Sequence, residues 1–410
     1  TPVYLTHASG HAAIANDAAL ERAGIGPNTA NPQGGTIVRD AQGRATGVLL
    51  ETAAGLVQDA IEQSRSDMTA QERRARRKKQ VRLAAENALA HGVTSFHDQG
   101  ASFETIELYR EMAENDNLGI RMYAMVSQSE VTPETKDSLA ALRAVGAADH
   151  HFTVRTIGEV TVDGALGSRT AWMLEPYNDA SGETGTNVTE MDRVREIAKI
   201  AMEEDYQLAV HAIGDRANRE SLDLFADLFE EQGVDGESLR WRIEHAQHLH
   251  PDDIPRFADL GVIASMQAMH ACSDAPYNYQ RLGAERVEQG AYLWKTLWED
   301  GVVVGNGTDV PVEKIDPLAN FHCTVTREVP GTDTAFTEEE TLTRRQALRS
   351  YTTKNAYAAF EEDVKGTLAP GMLADVAVLS TNILEGGEDQ IQEASVDYTI
   401  VGGEVAYTRK

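Results

Sequence analysis

Gln207-Leu208-Ala209-Val210-His211 is a short apolar run that ends on an imidazole. It is followed by a helical pattern over Arg219–Glu231 and by a second apolar run, Arg240–Glu244, that ends on His245. A strand, a helix and another strand in that order make the repeating unit of a parallel sheet with helices outside it. Read outward from this unit, the rhythm continues in both directions. Further short apolar, β-branched segments occur at Gly92–Phe96, Ile120–Val126, Phe152–Val162, Gly261–Met266 and Gly301–Val304, and helical patterns lie at Gln80–Ala90, Asp192–Glu204 and Asp252–Asp259. The expectation is an α/β fold with seven parallel strands, either open or closed. A closed (β/α)8 barrel needs eight.

The missing strand would belong at the beginning. The chain opens Thr1-Pro2-Val3-Tyr4, with no initiator Met, basic leader or signal-like apolar stretch, so it reads as a segment of a longer polypeptide. Residues 1–70 stand outside the rhythm and read as a decoration on the barrel. His11–Ala23 has helical spacing with Gly24 as its stop, and Thr36–Leu50 reads as a hairpin around Asp40–Gly43. Residues 71–360 make the barrel, closing on one helix over Leu342–Phe360. Residues 361–410 change character: Gly366–Leu379 and Val396–Tyr407 alternate apolar and polar residues between glycine turns, as strands of a small β-subdomain do.

Composition narrows the partners. The chain has 410 residues, 41% hydrophobic and 25% charged, with a net charge of −28. Such a surface repels phosphate backbones and anionic lipid, so neither nucleic acid nor a membrane is an expected partner. No run approaches the ~18–20 apolar residues that span a bilayer, and a cytoplasmic location is the expectation. The one basic run, Gln71–Arg82, reads as a solvated helix face. Cys272 and Cys323 are the two cysteines, expected as reduced, half-buried thiols.

In parallel α/β folds, reactive groups gather at the carboxyl ends of the strands. Those ends carry His97-Asp98, Glu159, His211, His245, Gln267 with His270, and Asp309. Glu159, His211, His245 and Asp309 form an imidazole and carboxylate set that suits a divalent cation such as Zn²⁺, Mn²⁺ or Fe²⁺. Each alone is more often a structural residue; their equivalent positions on successive strands are what point to a metal. Rival readings are weaker. Glu159 and Asp163 share one element, unlike a glycosidase pair. Gly164–Ser168 lacks the lysine of a phosphate loop, and Ser168 lacks the nucleophile elbow of a serine hydrolase. His248 and His250 read as surface groups.

Several blocks together resemble the amidohydrolase superfamily, in the group of YtcJ-like and N-substituted formamide deformylase-like proteins. They are Asp163–Arg169, His211–Ala217, Arg242–Gln247 and Gly307–Pro311, supported by Gly92–Ser95 with His97-Asp98, Ser265–Gln267 with His270-Ala271, Gly366–Leu368 with Ala374-Asp375, and Gly10-His11-Ala12 with Asn16. The resemblance covers essentially the whole chain. It implies a metal-dependent hydrolase (β/α)8 TIM barrel lacking its first strand, plus part of a small β-sandwich subdomain. It implies that His211, His245 and Asp309 are ligands ending the family's fifth, sixth and eighth strands. Glu159 takes the fourth-strand place where relatives carry a carboxylatable lysine. The family's His-x-His pair would precede Thr1.

The cofactor so implied is one or two divalent ions, zinc first. Asp309 would be the general base, His97 and His270 would contact substrate, and Asp215 would support the site or cap its helix. The reaction implied is hydrolysis of a non-peptide C–N bond in a small-molecule amide, in a chain that could pair as a homodimer. A catalytically incomplete barrel kept for binding and a ring-amidine deaminase are the alternatives.

Overall fold

All seven apolar segments form strands, and all pair in parallel. They are β1 (Ser95–Ala101), β2 (Arg121–Val126), β3 (Phe152–Thr161), β4 (Gln207–Ala212), β5 (Arg242–His245), β6 (Ile263–Met266) and β7 (Val304–Asn306). Their spatial order is their chain order, with β1 and β7 at the two edges. A three-residue strand, Ala144–Gly146, adds an antiparallel bridge to β3. The computed structural model describes residues 1–7, 12–64 and 68–410. Two compact units are present: Thr1–Gln80 with Val310–Lys314, and Val81–Asp309 with Ile315–Lys410.

Period-two alternation sorts the sheet into an outer and an inner face. On β4, Leu208, Val210 and Ala212 join the outer core, where helices Met191–Glu203 and Asp215–Gln232 supply Val194, Ile197, Leu222 and Phe225. Gln207, Ala209 and His211 face inward. On β2 likewise Ala124 and Val126 are outer, whereas Tyr123 and Met125 join Ala209 and Ala359 in a small inner cluster. The inner face is the polar one, and the chemistry collects there.

Four expectations need correction. The predicted final helix is two helices, Arg344–Tyr351 and Thr353–Ala358, broken at Thr352. The break turns Asn355 onto the edge strand β7, where its side chain accepts from Asn306 N at 3.2 Å and donates to Asn306 O at 2.8 Å. In the first unit, the helix expected from His11 begins only at Asp17. Ala12–Ala15 is a strand paired with Ala45–Glu51, and Asn16 caps the helix Asp17–Arg22 by accepting from Ala19 N at 3.1 Å. His11 itself lies outside the described residues. The hairpin is as expected, with Gly35–Arg39 antiparallel to Ala45–Glu51 and Asp40 Oδ1 accepting from Gln42 N and Arg44 N.

The third correction concerns Gly366–Leu379, of which only Val376–Leu379 is strand. It joins Val396–Val401 and Glu404–Thr408 in an antiparallel sheet. This sheet belongs to the same unit as the barrel strands and is tied to them by a buried bidentate pair, Asp375 with Arg121, at 2.7 and 3.0 Å. Gly92, at φ +80°, lets the chain turn into β1 against this sheet; a Cβ there would press on Ala377 and Val396 at 3.2 Å. The fourth correction is the cysteines. Cys272 and Cys323 are joined in a disulfide and fully buried. Helices Ala268–Leu282 and Pro317–Thr326 pack side by side and bring the two Cα atoms to 6.4 Å, within bridging range.

Candidate metal centre

Three of the four candidate ligands, Glu159, His245 and Asp309, reach the site by a local departure from regular strand geometry, and His211 does so by the ordinary alternation of β4. In β3, Ile157 and Val160 both face the outer core, with two residues between them opposite a single residue of β4. This bulge turns Glu159 inward. Gly158 permits it, because a Cβ there would meet the Ala209 Cβ at 2.7 Å. On β5 the alternation that makes Ile243 outer would send His245 outward too. His245 instead has φ +73° and Ala246 +44°, which takes the chain out of the extended conformation and brings the ring inward. Asp309, just beyond β7, is also left-handed at φ +52°. Non-glycine residues held there mark places where the surroundings dictate side-chain position.

Two groups of three result, sharing His245. Glu159, His211 and His245 have ligand atoms within 4.8 Å of one another, and so do His245, His270 and Asp309. Glu159 spans the two imidazoles of its group: Oε1 lies 3.5 Å from His211 Nδ1 and Oε2 lies 3.4 Å from His245 Nε2. The His211 and His245 rings meet edge to face at 4.5 Å. In the other group, His270 Nε2 is 3.0 Å from Asp309 Oδ2. Asp309 therefore joins His270 and His245 rather than Glu159 and His211.

The donor set fits a divalent cation. His211 Nε2 faces the Gly164 carbonyl at 3.4 Å, an acceptor only, so the hydrogen of a neutral ring belongs on that nitrogen. Nδ1 is then the lone-pair atom; it is buried, has no hydrogen-bond partner among the described residues, and faces Glu159. The electrostatics agree. Burial raises the Glu159 carboxyl, but the two imidazoles beside it, His211 and His245, outweigh it and hold it well below the usual carboxylate range. Burial lowers His245, but Glu159, Asp309 and Glu244 outweigh it and raise it to about 10. Without a cation, a proton occupies the place where positive charge is wanted.

His97 lies apart from both groups. It is the third residue of β1, its ring tilted against Tyr123 at 4.7 Å, with Nδ1 3.5 Å from Arg242 at the opposite end of β5 from His245. Burial, with Arg242 and Lys365 nearby, pushes its imidazole well below the usual range. Arg242 in turn pairs at 2.5 Å with Glu244, whose side chain is fully buried.

Asp163 is a residue whose role the sequence left open. Fully buried, it accepts backbone N–H groups from Trp172 (2.7 Å), Ile213 (3.0 Å) and Gly214 (2.8 Å), lashing the loop after β3 to the turn after β4 beside His211. Burial pushes its carboxyl up to about 6 despite those bonds. Asp215 is in the first turn of its helix rather than the cap, and it accepts from Leu174 N at 2.7 Å.

The loop Gly164–Ser168 is folded on itself through Thr170, which engages the N–H groups of Gly164 and Ala165 that a phosphate would need. His248 is not a surface group as expected. It is 2% exposed and packed on Tyr292, and burial and Arg286 push its imidazole down to about 3. His250 is half-buried and caps a turn by accepting from Asp252 N at 3.2 Å. Gln267, noted in the sequence only as a strand-end residue, touches His245 directly: its Oε1 is 2.7 Å from Nδ1.

Comparison with known proteins gives a consistent picture. The model of the amidohydrolase family matches residues 1–407. Protein LONG AFTER FAR-RED 3 of Arabidopsis thaliana is 33% identical over 99% of this chain and 69% of its own length. The N-substituted formamide deformylase of Arthrobacter pascens is 26% identical over 100% of this chain and 74% of its own. Among solved structures, an uncharacterised metal-dependent hydrolase from Pyrococcus furiosus aligns at a TM-score of 0.68 and 28% identity, covering 90% of this chain and 70% of that one.

Proposed function

The chain belongs to the amidohydrolase family, and from that premise we propose that its site hydrolyses a non-peptide C–N bond, in a formamide or another small linear or cyclic amide. The observation that carries the reading is the convergence of His211 Nδ1 and His245 Nε2 on the two oxygens of Glu159. Glu159, His211 and His245 would hold the cation, for which zinc is the first candidate on its preference for nitrogen and carboxylate donors. When bound, such a cation acts as a Lewis acid and lowers the pKa of water toward ~7.

The remaining work falls to this chain's own residues. Asp309 accepts the proton of the attacking water as its oxygen bonds to the carbonyl carbon. It then delivers that proton to the amine nitrogen as the C–N bond breaks. His270, in contact with Asp309, orients that carboxylate and meets the substrate carbonyl. His97 lies with Arg242 and would contact only a substrate group that reaches down the inner face.

The deformylase relative supports the amide class, and its name supports formamides first among substrates to try. The test is metal analysis of the purified protein with a panel of amides assayed on the same sample. Formate or carboxylate should be released with the amine in equal amount. Ammonia from a ring amidine would make it a deaminase, and a metal-free protein inert on all of them would overturn the proposal.

A further inference from the structure

Gln267 stands between β6 and the helix Ala268–Leu282, at the position where a polar side chain would cap the helix. It makes no cap bond and is 4% exposed. Its amide is used differently: Nε2 donates to the Ser265 carbonyl at 3.2 Å, and Oε1 lies 2.7 Å from His245 Nδ1. A carbonyl oxygen can only accept, so Ser265 fixes which way the amide faces: Nε2 toward the strand, Oε1 toward the imidazole. The amide oxygen can also only accept, so Nδ1 of His245 carries a hydrogen. The lone pair of the neutral ring is then left on Nε2, the atom 3.4 Å from Glu159.

We infer that Gln267 is a positioning residue for the metal centre: its buried amide relays the polarity of the Ser265 carbonyl to His245 and holds that ring in the tautomer and orientation that present Nε2 to a divalent cation. The inference rests on the metal reading above. It concerns His245 alone, since His211 is set by a different group, the Gly164 carbonyl. His245 has particular need of such a brace, because its backbone leaves the regular strand at φ +73° and the pleat does not fix where the ring points.

The experiment compares the parent chain with Gln267→Leu and Gln267→Glu, titrated with Zn²⁺ against a chelator and with Co²⁺ followed by its visible absorption. Loss of an outer partner of a metal-bound imidazole costs about 10- to 100-fold in affinity. Gln267→Leu should therefore bind Zn²⁺ about 10- to 100-fold more weakly and shift the Co²⁺ bands. Gln267→Glu keeps an acceptor for Nδ1 and should bind about tenfold or more tightly than the leucine variant, with bands like the parent's. Unfolding of the metal-free proteins checks that they fold alike; if the leucine variant does not fold, Gln267→Asn, too short to reach Nδ1, takes its place. Parent-like affinity and bands in the leucine or asparagine variant overturn the inference while leaving the metal reading intact, and so does a glutamate variant no better than leucine. If the parent itself takes up neither ion, the metal reading falls and the inference falls with it.

Discussion

His270 Nε2 lies 3.0 Å from Asp309 Oδ2, a contact between residues 39 positions apart that arrive from the ends of β6 and β7. It places Asp309 against an imidazole rather than in the Glu159 group, which suits a carboxylate that handles protons more than one that anchors a cation. Asp309→Asn should keep most of the bound metal and lose about 10²–10⁴-fold in turnover. Metal content and kcat measured on one preparation decide it; near-parental turnover would remove Asp309 as the base.

Cation uptake should depend steeply on pH. His245 is raised from its ordinary 6.5 to about 10, so over the range between, a cation must displace a proton. Apparent affinity should rise about tenfold per pH unit there, with one proton released per ion bound. In the metal-free protein the sign reverses. A raised imidazole stabilises the fold fully below 6.5 and loses that contribution as pH rises through about 10, while the lowered Glu159 loses its own as pH falls below 4.5. Their joint contribution is thus greatest between about 4.5 and 6.5. Calorimetric titration in buffers of different ionisation enthalpy measures the proton release; affinity independent of pH from 7 to 9 would contradict the assignment.

Asp163→Ala should strongly destabilise the chain. It leaves three N–H groups, the buried ones of Ile213 and Gly214 and the half-buried one of Trp172, without their acceptor. At about 1–3 kcal/mol for each orphaned donor, the loss should reach about 3 kcal/mol or more. Asp163→Asn keeps one acceptor oxygen and should lose less. Urea unfolding of the metal-free variants gives both values, and equal losses would mean that hydrogen-bond acceptance is not what Asp163 contributes.

The buried bridge between Cys272 and Cys323 predicts that denaturing alkylation without reductant labels neither cysteine and that labelling after reduction takes both. Replacing both by alanine should cost about 2–4 kcal/mol, the usual value of a cross-link closing a loop of this order. Quantitative labelling in the absence of reductant would show that the sulfurs are not joined.

Legibility in the sequence followed the range of the forces involved. The seven barrel strands were readable because period-two alternation and the helices between them are local patterns; each observed strand falls on or within a few residues of its predicted segment. The Thr36–Leu50 hairpin was readable for the same reason, Asp40 closing its own turn. The break at Thr352 was not, because the contact that goes with it, Asn355 on an edge strand 49 residues earlier, is long-range. Nor was the burial of His248, which depends on Tyr292 packing against it from a distant segment.

By itself the sequence determined the strand and helix order and which residues stand at strand ends, since both follow from near-neighbour spacing. Only the tertiary structure decided which of those end residues meet. It set His245 in both groups, His97 in neither, Asp309 beside His270, and Gln267 behind His245. The reason is geometric: a bulge at Gly158 and a left-handed turn at His245 reverse where side chains point, and such departures arise from contacts across the sheet that no local pattern encodes.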